Sequence, residues 1–280
     1  MNLTIKTVLH QAGLFFHPLE NPRLEAEVLL ASLLGKPRVW LKTHDQENIS
    51  VYRCLKFWYW CWRRRSGIPV AYIRGYQDWY NQKYLVNRHV LIPRSETETL
   101  LHHILSQDLK PESVLDIGTG SGCLAIELKR AYPDAEVTGV DISNTALKVA
   151  RKNAQLHQQN VNFKHSDLLN VVIPRAEYDL IVANLPYVPD TKIVTKEVEC
   201  EPAGAIFSGT DGLKHYRVLV KQLNKKSIQF NNLWIEFLPE QQESIAEMFS
   251  DYQVKFFTDV SDQVFFARVT DHDERIHPQK

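Results

Sequence analysis

The stretch SVLDIGTGSGCLAIELKRAY, residues 113–132, decides the fold expected for this chain. It begins with a short apolar segment typical of a buried strand, passes through three closely spaced glycines, and continues as an amphipathic helix. Gly118, Gly120 and Gly122 let the backbone turn sharply and approach a ligand without a Cβ in the way. A strand that ends in such a turn predicts an α/β fold with a ligand at the turn. Dinucleotide-binding proteins use a similar turn, so the glycines alone do not identify the ligand.

Strands and helices alternate on both sides of that stretch. The pattern predicts strands over 113–118, 136–142 and 178–187, and helices over 123–132 and 145–157. This alternation indicates a doubly wound, mostly parallel sheet. Residues 76–92 are rich in aromatic and β-branched residues around Asn81-Gln82, and they are predicted to form a β-hairpin that links two domains.

The first 75 residues have the periodicity of helices. One helix is predicted to end at Gly35, and a second runs through VYRCLKFWYWCWRRRSG to Gly67. Four apolar side chains of the second helix have i, i+3, i+4, i+7 spacing and are predicted to face the core: Leu55, Trp58, Tyr59 and Trp62. Phe57 and Trp60 fall outside that stripe, where they would either pack against a neighbouring domain or form a partner-binding patch. The expected domains are a helical domain at 1–75, a hairpin linker at 76–93 and a larger domain at 94–280.

Composition excludes several classes of protein. The chain has 280 residues, of which 44% are hydrophobic, and 33 basic residues balance 33 acidic ones. Balanced charge removes the usual reason for nonspecific nucleic-acid binding, and no direct nucleic-acid contact is expected. The four cysteines form no CxxC pair and no zinc-like spacing, so we expect no metal and a reduced, cytoplasmic protein. The beginning of the chain has no signal-peptide pattern, and no stretch is apolar enough to span a membrane. A monomer is expected.

Two aspartates follow the glycine turn at positions that suit a nucleoside. Asp141 ends the second predicted strand, where its carboxylate can accept hydrogen bonds from both hydroxyls of a ribose. Asp167, in the loop HSDLL, could bind an adenine amino group or simply cap a turn. Asp141 together with the glycine turn therefore favours a ligand that contains a ribose.

The segment Asn184-Leu185-Pro186-Tyr187 ends the predicted strand at 178–187 and separates the possible chemistries. The nitrogen of an amide or aryl amine is a poor nucleophile because its lone pair is delocalised. An Asn side-chain oxygen and a backbone carbonyl can each accept one N–H of such a group and orient it toward a methyl donor. Pro186 makes the turn rigid and aims the Leu185 carbonyl, and Tyr187 offers a flat apolar wall. The segment predicts methylation of a planar nitrogen.

The whole chain resembles the HemK-type family of release-factor glutamine methyltransferases. The similar stretches include RLEAEVLLASLLGK (23–36), RRRSGIPVAYIRGYQDWYN (63–81), HVLIPRSETETLL (89–101), DIGTGSG (116–122), VDISNTALKVARKNA (140–154), YDLIVANLPYVP (178–189) and EPAGAIFSGTDGLKHYR (201–217). Because these stretches span most of the chain, the resemblance is to the family and not only to a fold.

The resemblance implies a class I, Rossmann-like methyltransferase domain preceded by a small helical domain that docks the substrate. It implies S-adenosylmethionine as cofactor, and methylation of the glutamine in the Gly-Gly-Gln sequence of a peptide-chain release factor. The implied cofactor contacts are Gly118, Thr119, Gly120, Ser121, Gly122, Asp141, Asp167, Leu168 and Asn184. The implied glutamine-binding and catalytic residues are Asn184, Leu185, Pro186 and Tyr187.

The chain departs from the family pattern in three places. Leu185-Pro186 stands where the family has two prolines, and the segment Glu236-Phe-Leu-Pro-Glu-Gln241 lacks the glycine of the family's Glu-x-Gly-x-x-Gln. The closing segment TDVSDQVFFARV lacks the usual Gly/Arg pattern. Arg94, Thr97 and Glu98 match a family region next to the cofactor site, although a capped helix that starts near Ser95 explains them equally well.

Three other functions remain open on sequence alone. rRNA adenine dimethyltransferases have a motif similar to Asn-Leu-Pro-Tyr, but they need a basic surface, which a chain with no net charge does not suggest. A related enzyme methylates glutamine in a ribosomal protein. A non-enzyme reading is an inactive, cofactor-binding interaction protein, and the intact glycine turn and Asn184 argue against it.

Overall fold

The computed structural model describes residues 3–17, 19–170, 177–226, 228–259 and 261–270. The chain divides into two compact units. The first, called here the helical unit, comprises Met1–Tyr76 and Val194–Cys200, and the second, the sheet unit, comprises Gln77–Ile193 and Glu201–Lys280. In the part of the chain that the structure describes, no helix combines the length and apolar character needed to cross a bilayer.

The helical unit contains α1 (Ile5–Phe15), α2 (Pro22–Leu34), α3 (Arg38–Thr43), α4 (Val51–Arg65) and α5 (Val70–Arg74). Helix α2 ends as predicted at Gly35, which adopts the left-handed conformation with φ 66°. The buried side chain of Arg64 donates hydrogen bonds to Glu25 at 2.7 Å and to Glu197 at 2.5 Å. These contacts hold the segment Val194–Cys200 to the helices of its unit.

The predicted inward face of α4 is wrong for three of its four residues, and only Trp58 packs against the core. Leu55, Tyr59 and Trp62 are 67%, 57% and 60% exposed, whereas Phe57, which lies outside the predicted stripe, is fully buried. The buried positions are Cys54, Phe57, Cys61 and Arg64, which have the same helical spacing as the exposed ones. The apolar side chains of α4 are distributed around nearly its whole circumference, so periodicity alone could not identify which stripe faces the core.

The hairpin is present, with a different turn. Strands β1 (Tyr76–Trp79) and β2 (Gln82–Leu85) form a two-stranded sheet, and no strand covers residues 86–92. The turn residues are Tyr80 and Asn81, both left-handed with φ 48° and 57°, instead of the predicted Asn81-Gln82. Two successive left-handed residues give a turn whose twist matches that of the paired strands.

The sheet unit is built on a seven-stranded sheet with the order β5-β4-β3-β6-β7-β9-β8. Its strands are β3 (Ser113–Ile117), β4 (Glu136–Asp141), β5 (Asn162–His165), β6 (Glu177–Ala183), β7 (Gln229–Glu236), β8 (Gln253–Thr258) and β9 (Val264–Thr270). Strands β3 to β7 pair in parallel, and β9 pairs antiparallel with both β7 and β8. The predicted strand at 178–187 therefore ends at Ala183, and the Asn184–Tyr187 segment lies in the loop that follows.

Helices cover both faces of this sheet, as expected from the alternating pattern. Helices α6 (Ser95–Leu105), α7 (Cys123–Ala131) and α8 (Asn144–Leu156) pack with Trp79 and Tyr84 of the hairpin against one face. Helices α9 (Lys214–Lys226) and α10 (Gln242–Met248) pack against the other. The predicted fold class is confirmed: this is a doubly wound, mostly parallel sheet, with a helical N-terminal unit.

Candidate active site

A cavity of about 230 Å³ lies at the carboxyl ends of the neighbouring strands β3 and β6, whose chain connections run in opposite directions, from β3 to β4 and from β6 to β7. Ligands of doubly wound folds bind at such a point because the two loops diverge there and leave a crevice. Eight of the residues predicted from the sequence line the cavity: Gly118, Gly120, Asp141, Asp167, Leu168, Asn184, Leu185 and Pro186. Thr119, Ser121, Gly122 and Tyr187 do not line it.

The glycine turn after β3 divides into cavity-lining and structural positions. Gly118 and Gly120 are left-handed, with φ 76° and 54°, and present backbone to the cavity. A Cβ on Gly122 would lie 2.9 Å from the Cβ of Ala150, so this glycine allows α7 and α8 to pack closely. The hydroxyl of the buried Thr119 donates to Asp116 at 2.6 Å and fixes the turn from below.

Asp141 joins the turn to the next strand. Its Oδ2 accepts the Gly120 N–H at 2.9 Å, and its Oδ1 accepts the Ser143 N–H at 2.7 Å. A carboxylate oxygen has two lone pairs, so each oxygen can still accept a hydroxyl from a ligand. Burial raises the pKa of Asp141, and it raises the pKa of the neighbouring Asp116 to about 7.

These residues fit S-adenosylmethionine, the cofactor implied by the resemblance. Its ribose offers two hydroxyl donors, which suit the remaining lone pairs of Asp141. Its sulfonium is positively charged, and the carboxyl groups of Asp116, Asp141 and the buried Glu236 would attract it in their ionised forms. Gly118 and Gly120 leave room for a close approach of the ligand to the backbone.

Asn184 follows β6 and makes two contacts through its amide nitrogen. Nδ2 donates to the Thr97 hydroxyl at 2.8 Å and to Oε2 of Glu236 at 2.9 Å. The Thr97 hydroxyl in turn donates to the same Oε2 at 3.1 Å. An amide nitrogen carries two hydrogens, so both are engaged, and the side-chain oxygen of Asn184 remains as an acceptor beside the cavity.

The next two residues present a backbone acceptor. Leu185 is buried, and its N–H donates to the hydroxyl of Tyr216 at 3.4 Å. The single hydrogen of that hydroxyl lies between the carbonyls of Ala183, at 3.0 Å, and Glu236, so Tyr216 ties together the ends of β6 and β7. Among the described residues, no hydrogen-bond donor reaches the Leu185 carbonyl. Pro186 limits the conformation of the turn that aims this carbonyl.

Tyr187 is held at both of its polar ends. Its hydroxyl donates to Oε1 of Glu236 at 2.8 Å, and burial beside this carboxylate raises the pKa of Tyr187 well above its usual value. Its carbonyl accepts the side chain of Gln241 at 2.8 Å, which also reaches the Asp211 carbonyl. The glycine missing from the segment Glu236–Gln241 is not needed, because Leu238 occupies its position with an ordinary φ of −79°.

Several residues of the site were not assigned from the sequence. Glu236 and Gln241 were noted only as parts of a family pattern, and Thr97 only as a family-like position. His215 lines the cavity and shares a 2.6 Å hydrogen bond with Ser208, and the sequence indicated it only as part of the family-like stretch 201–217, without a role. Arg94 pairs with Glu201, and Glu98 accepts the Tyr80 N–H at 2.8 Å, so these two residues support the loop and hairpin around the site.

Comparisons with known proteins agree with this architecture. Residues 7–75 match the family described as PrmC N-terminal domain, and residues 95–201 match the Methyltransferase small domain. A release factor glutamine methyltransferase of Koribacter versatilis is 38% identical over 210 residues, which cover 72% of this chain and 74% of that protein. One of Chlorobaculum tepidum is 33% identical, with 84% and 86% covered.

A solved structure has a similar backbone. The ribosomal protein L11 methylase of Lactobacillus delbrueckii subsp. bulgaricus superposes with a TM-score of 0.47 and 22% identity, covering 70% of this chain and 90% of that one. A likeness at this level adds nothing to the assignment of substrate.

Proposed function

Because the chain belongs to the family of release factor glutamine methyltransferases, we propose that its target is the glutamine of a Gly-Gly-Gln sequence. The enzyme uses S-adenosylmethionine to methylate a glutamine side chain of a release factor. The observation that best supports this chemistry is Asn184, which lines the cavity and has both amide hydrogens engaged, so that its side-chain oxygen is left as an acceptor.

The two acceptors would act on the substrate amide together. The side-chain oxygen of Asn184 accepts one N–H of the glutamine and the Leu185 carbonyl accepts the other, which orients the nitrogen and favours its nucleophilic, pyramidal form. Tyr187 does not line the cavity itself, and its ring is proposed to offer the planar amide a flat surface at the end of the Asn184–Tyr187 segment. When bound, S-adenosylmethionine supplies the sulfonium methyl: the N–C bond forms as the S–C bond breaks. The alkylated nitrogen then loses its proton to water, so no dedicated base is needed.

The proposed cofactor contacts follow the lining of the cavity. Gly118 and Gly120 would let the ligand approach the backbone closely, Asp141 would accept the ribose hydroxyls, and Asp167 and Leu168, which also line the cavity, would contact the adenine. The other residues of the turn hold its shape, since they do not line the cavity: Thr119, Ser121 and Gly122.

Asp141→Ala is expected to weaken S-adenosylmethionine binding by roughly 1.5–3 kcal/mol, the scale of a lost charge-assisted hydrogen bond. This corresponds to a rise in Kd of about 10- to 150-fold, measured by calorimetry. Asp134→Ala is the matched control, because Asp134 is exposed in the turn between α7 and β4. An unchanged Kd for Asp141→Ala would remove this residue from the cofactor site.

The helical unit is the proposed docking region for the release factor. Residues 1–76 contain eleven lysines and arginines against five acidic residues, although the whole chain is neutral. Helix α4 has no acidic residue, and its exposed stripe consists of Tyr52, Leu55, Tyr59 and Trp62. A basic, aromatic surface suits an acidic protein segment that also carries apolar side chains.

Replacing both Tyr59 and Trp62 by Ala is expected to raise KM for an intact release factor by about tenfold or more, because two exposed aromatic contacts are lost. KM for a short Gly-Gly-Gln peptide is expected to stay the same. Leu14→Ala, which removes a similarly exposed apolar residue from α1, is the control. Deletion of residues 1–75 is the more severe form of the test, and equal losses on both substrates would assign this unit a supporting role only.

The proposal also covers the oligomeric state, the location and the class of partner. The protein is proposed to act as a monomer in the cytoplasm, in keeping with its four free cysteines, and to contact protein rather than nucleic acid. The test is to incubate it with labelled S-adenosylmethionine and a mixture of release factor, ribosomal protein and rRNA. Label in the release factor is the expected result, and label in rRNA or in the ribosomal protein would select one of the alternatives.

A further inference from the structure

Glu236, the last residue of β7, contacts three residues of the site through its side chain, although the sequence indicated it only as part of a family pattern. It is 1% exposed. Its Oε2 accepts the Asn184 amide at 2.9 Å and the Thr97 hydroxyl at 3.1 Å, and its Oε1 accepts the Tyr187 hydroxyl at 2.8 Å. One carboxylate therefore receives three donors, two of which belong to the segment proposed to bind the substrate.

We propose that Glu236 is a positioning residue for methyl transfer, which holds the Asn184 amide and the Tyr187 ring in the orientation that receives the substrate glutamine. This inference rests on the proposed role of Asn184 as an acceptor. Glu236 itself does not line the cavity, so it acts through its two partners.

The orientation of the Asn184 amide follows from this contact. If the amide were flipped, its oxygen would replace the nitrogen beside Oε2 of Glu236, and two acceptors would face each other at about 2.9 Å. The nitrogen would then point to the cavity and offer donors to a substrate NH₂ group that also has only donors to offer. Glu236 excludes this flipped arrangement. Thr97 favours the observed one, because its hydroxyl accepts the second amide hydrogen at 2.8 Å.

Tyr187 is positioned by the same carboxylate and by a second anchor. Its hydroxyl contacts Glu236 while its carbonyl contacts Gln241, so the residue is held at both the ring and the backbone. The ring has little freedom to rotate out of the site. The two ends of the Asn184–Tyr187 segment are thus tied to β7 and to the segment after it.

The charge of Glu236 matters because the ionised form can accept from all three donors, whereas a proton occupies one acceptor position. Burial raises the pKa of Glu236 to about 7, the hydrogen bonds from Tyr187 and Thr97 lower it, and the facing charges are Glu96, which raises it, and Arg94, which lowers it. The fraction of ionised Glu236 therefore increases as the pH rises through 7. The rate of methyl transfer is expected to increase over the same range.

The test uses the full-length protein with a Gly-Gly-Gln peptide, saturating S-adenosylmethionine and single-turnover kinetics. E236Q keeps an acceptor for Asn184 and Thr97 but has no charge, so we expect a rate about tenfold lower that no longer falls below pH 7. E236M removes every acceptor, and we expect a loss of about 10²-fold. Cofactor Kd should change less than twofold in both. E240Q, a substitution at an exposed carboxylate nearby, is the control.

The results that would overturn the role of Glu236 differ from those that would overturn the proposed function. A parental rate in E236M would overturn the inference, and so would equal losses in rate and cofactor affinity with an unchanged pH profile. If the Glu236 variants do not fold, a pair of Thr97 variants decides: Thr97→Ser should keep the rate and Thr97→Val should lower it, with little change in cofactor Kd in either. If the parental enzyme does not methylate the peptide or the intact release factor, it is the proposed function that fails.

Discussion

Asn184→Ala is expected to lower the rate of methyl transfer to glutamine by about 10²–10³, because one oriented hydrogen bond to the reacting amide is lost. Cofactor affinity should fall much less, since Asp141 and the glycine turn remain. Single-turnover methylation of a Gly-Gly-Gln peptide measures the first quantity, and calorimetry measures the second. Asn160→Ala, in the exposed loop before β5, is the matched control.

Asn184→Asp tests the two contacts that the Asn184 amide nitrogen donates. The Asp side chain is similar in size to Asn and keeps an acceptor oxygen. In its ionised form it cannot donate to Thr97 and Glu236, and it would place a second carboxylate against Glu236. Two carboxylates this close disfavour joint ionisation, so one would take up a proton. We therefore expect a large loss of rate in this variant also. If Asn184→Ala transfers methyl at the parental rate, the amide clamp is wrong.

Gly212→Ala is expected to abolish methylation and to destabilise the sheet unit by about 2–5 kcal/mol. A Cβ at this position would collide with the Tyr187 carbonyl and with the Gln241 side chain, and the residue is left-handed with φ 77°. Overpacking against backbone and a strained φ each cost about 1–3 kcal/mol. The Gln241 contact that holds Tyr187 would be lost with them.

Denaturant unfolding followed by a methylation assay tests this expectation. Gly13→Ala is the control, because Gly13 lies in α1 with nothing within 4 Å of the added Cβ, so its stability should be unchanged or slightly higher. Gly212→Ala with parental stability and parental activity would mean that the Tyr187–Gln241 contact has no role in the site.

The parts of the site that the sequence predicts are those contained in a single short segment. The glycine turn, Asp141 and Asn184 each follow a recognisable strand, and parallel strands bring their carboxyl ends to one edge of a sheet. The partners of Asn184 are different, because Thr97 is 87 residues away and Glu236 is 52 residues away. Nothing local to either residue indicates that it will meet Asn184: the pairing of β6 with β7 brings Glu236 to it, and the packing of α6 on the sheet brings Thr97.

Helix α4 shows a second reason for a missed prediction. Periodicity identifies a buried face only when the other face is polar, and in this helix two stripes of identical spacing compete. The stripe that is buried ends in Arg64, a charged residue that periodicity assigns to the surface. Its ion pairs with Glu25 and Glu197 make its burial possible, and Glu197 lies 133 residues along the chain.

Locating the transferred methyl group tests the central claim most directly. The protein is incubated with S-adenosylmethionine and an intact release factor, the products are digested, and the modified residue is identified by tandem mass spectrometry. The account predicts one methyl group on the side-chain amide nitrogen of the glutamine in the Gly-Gly-Gln sequence, and none in a release factor that has alanine there. A methyl group on any other residue, or only on rRNA added to the mixture, would contradict it.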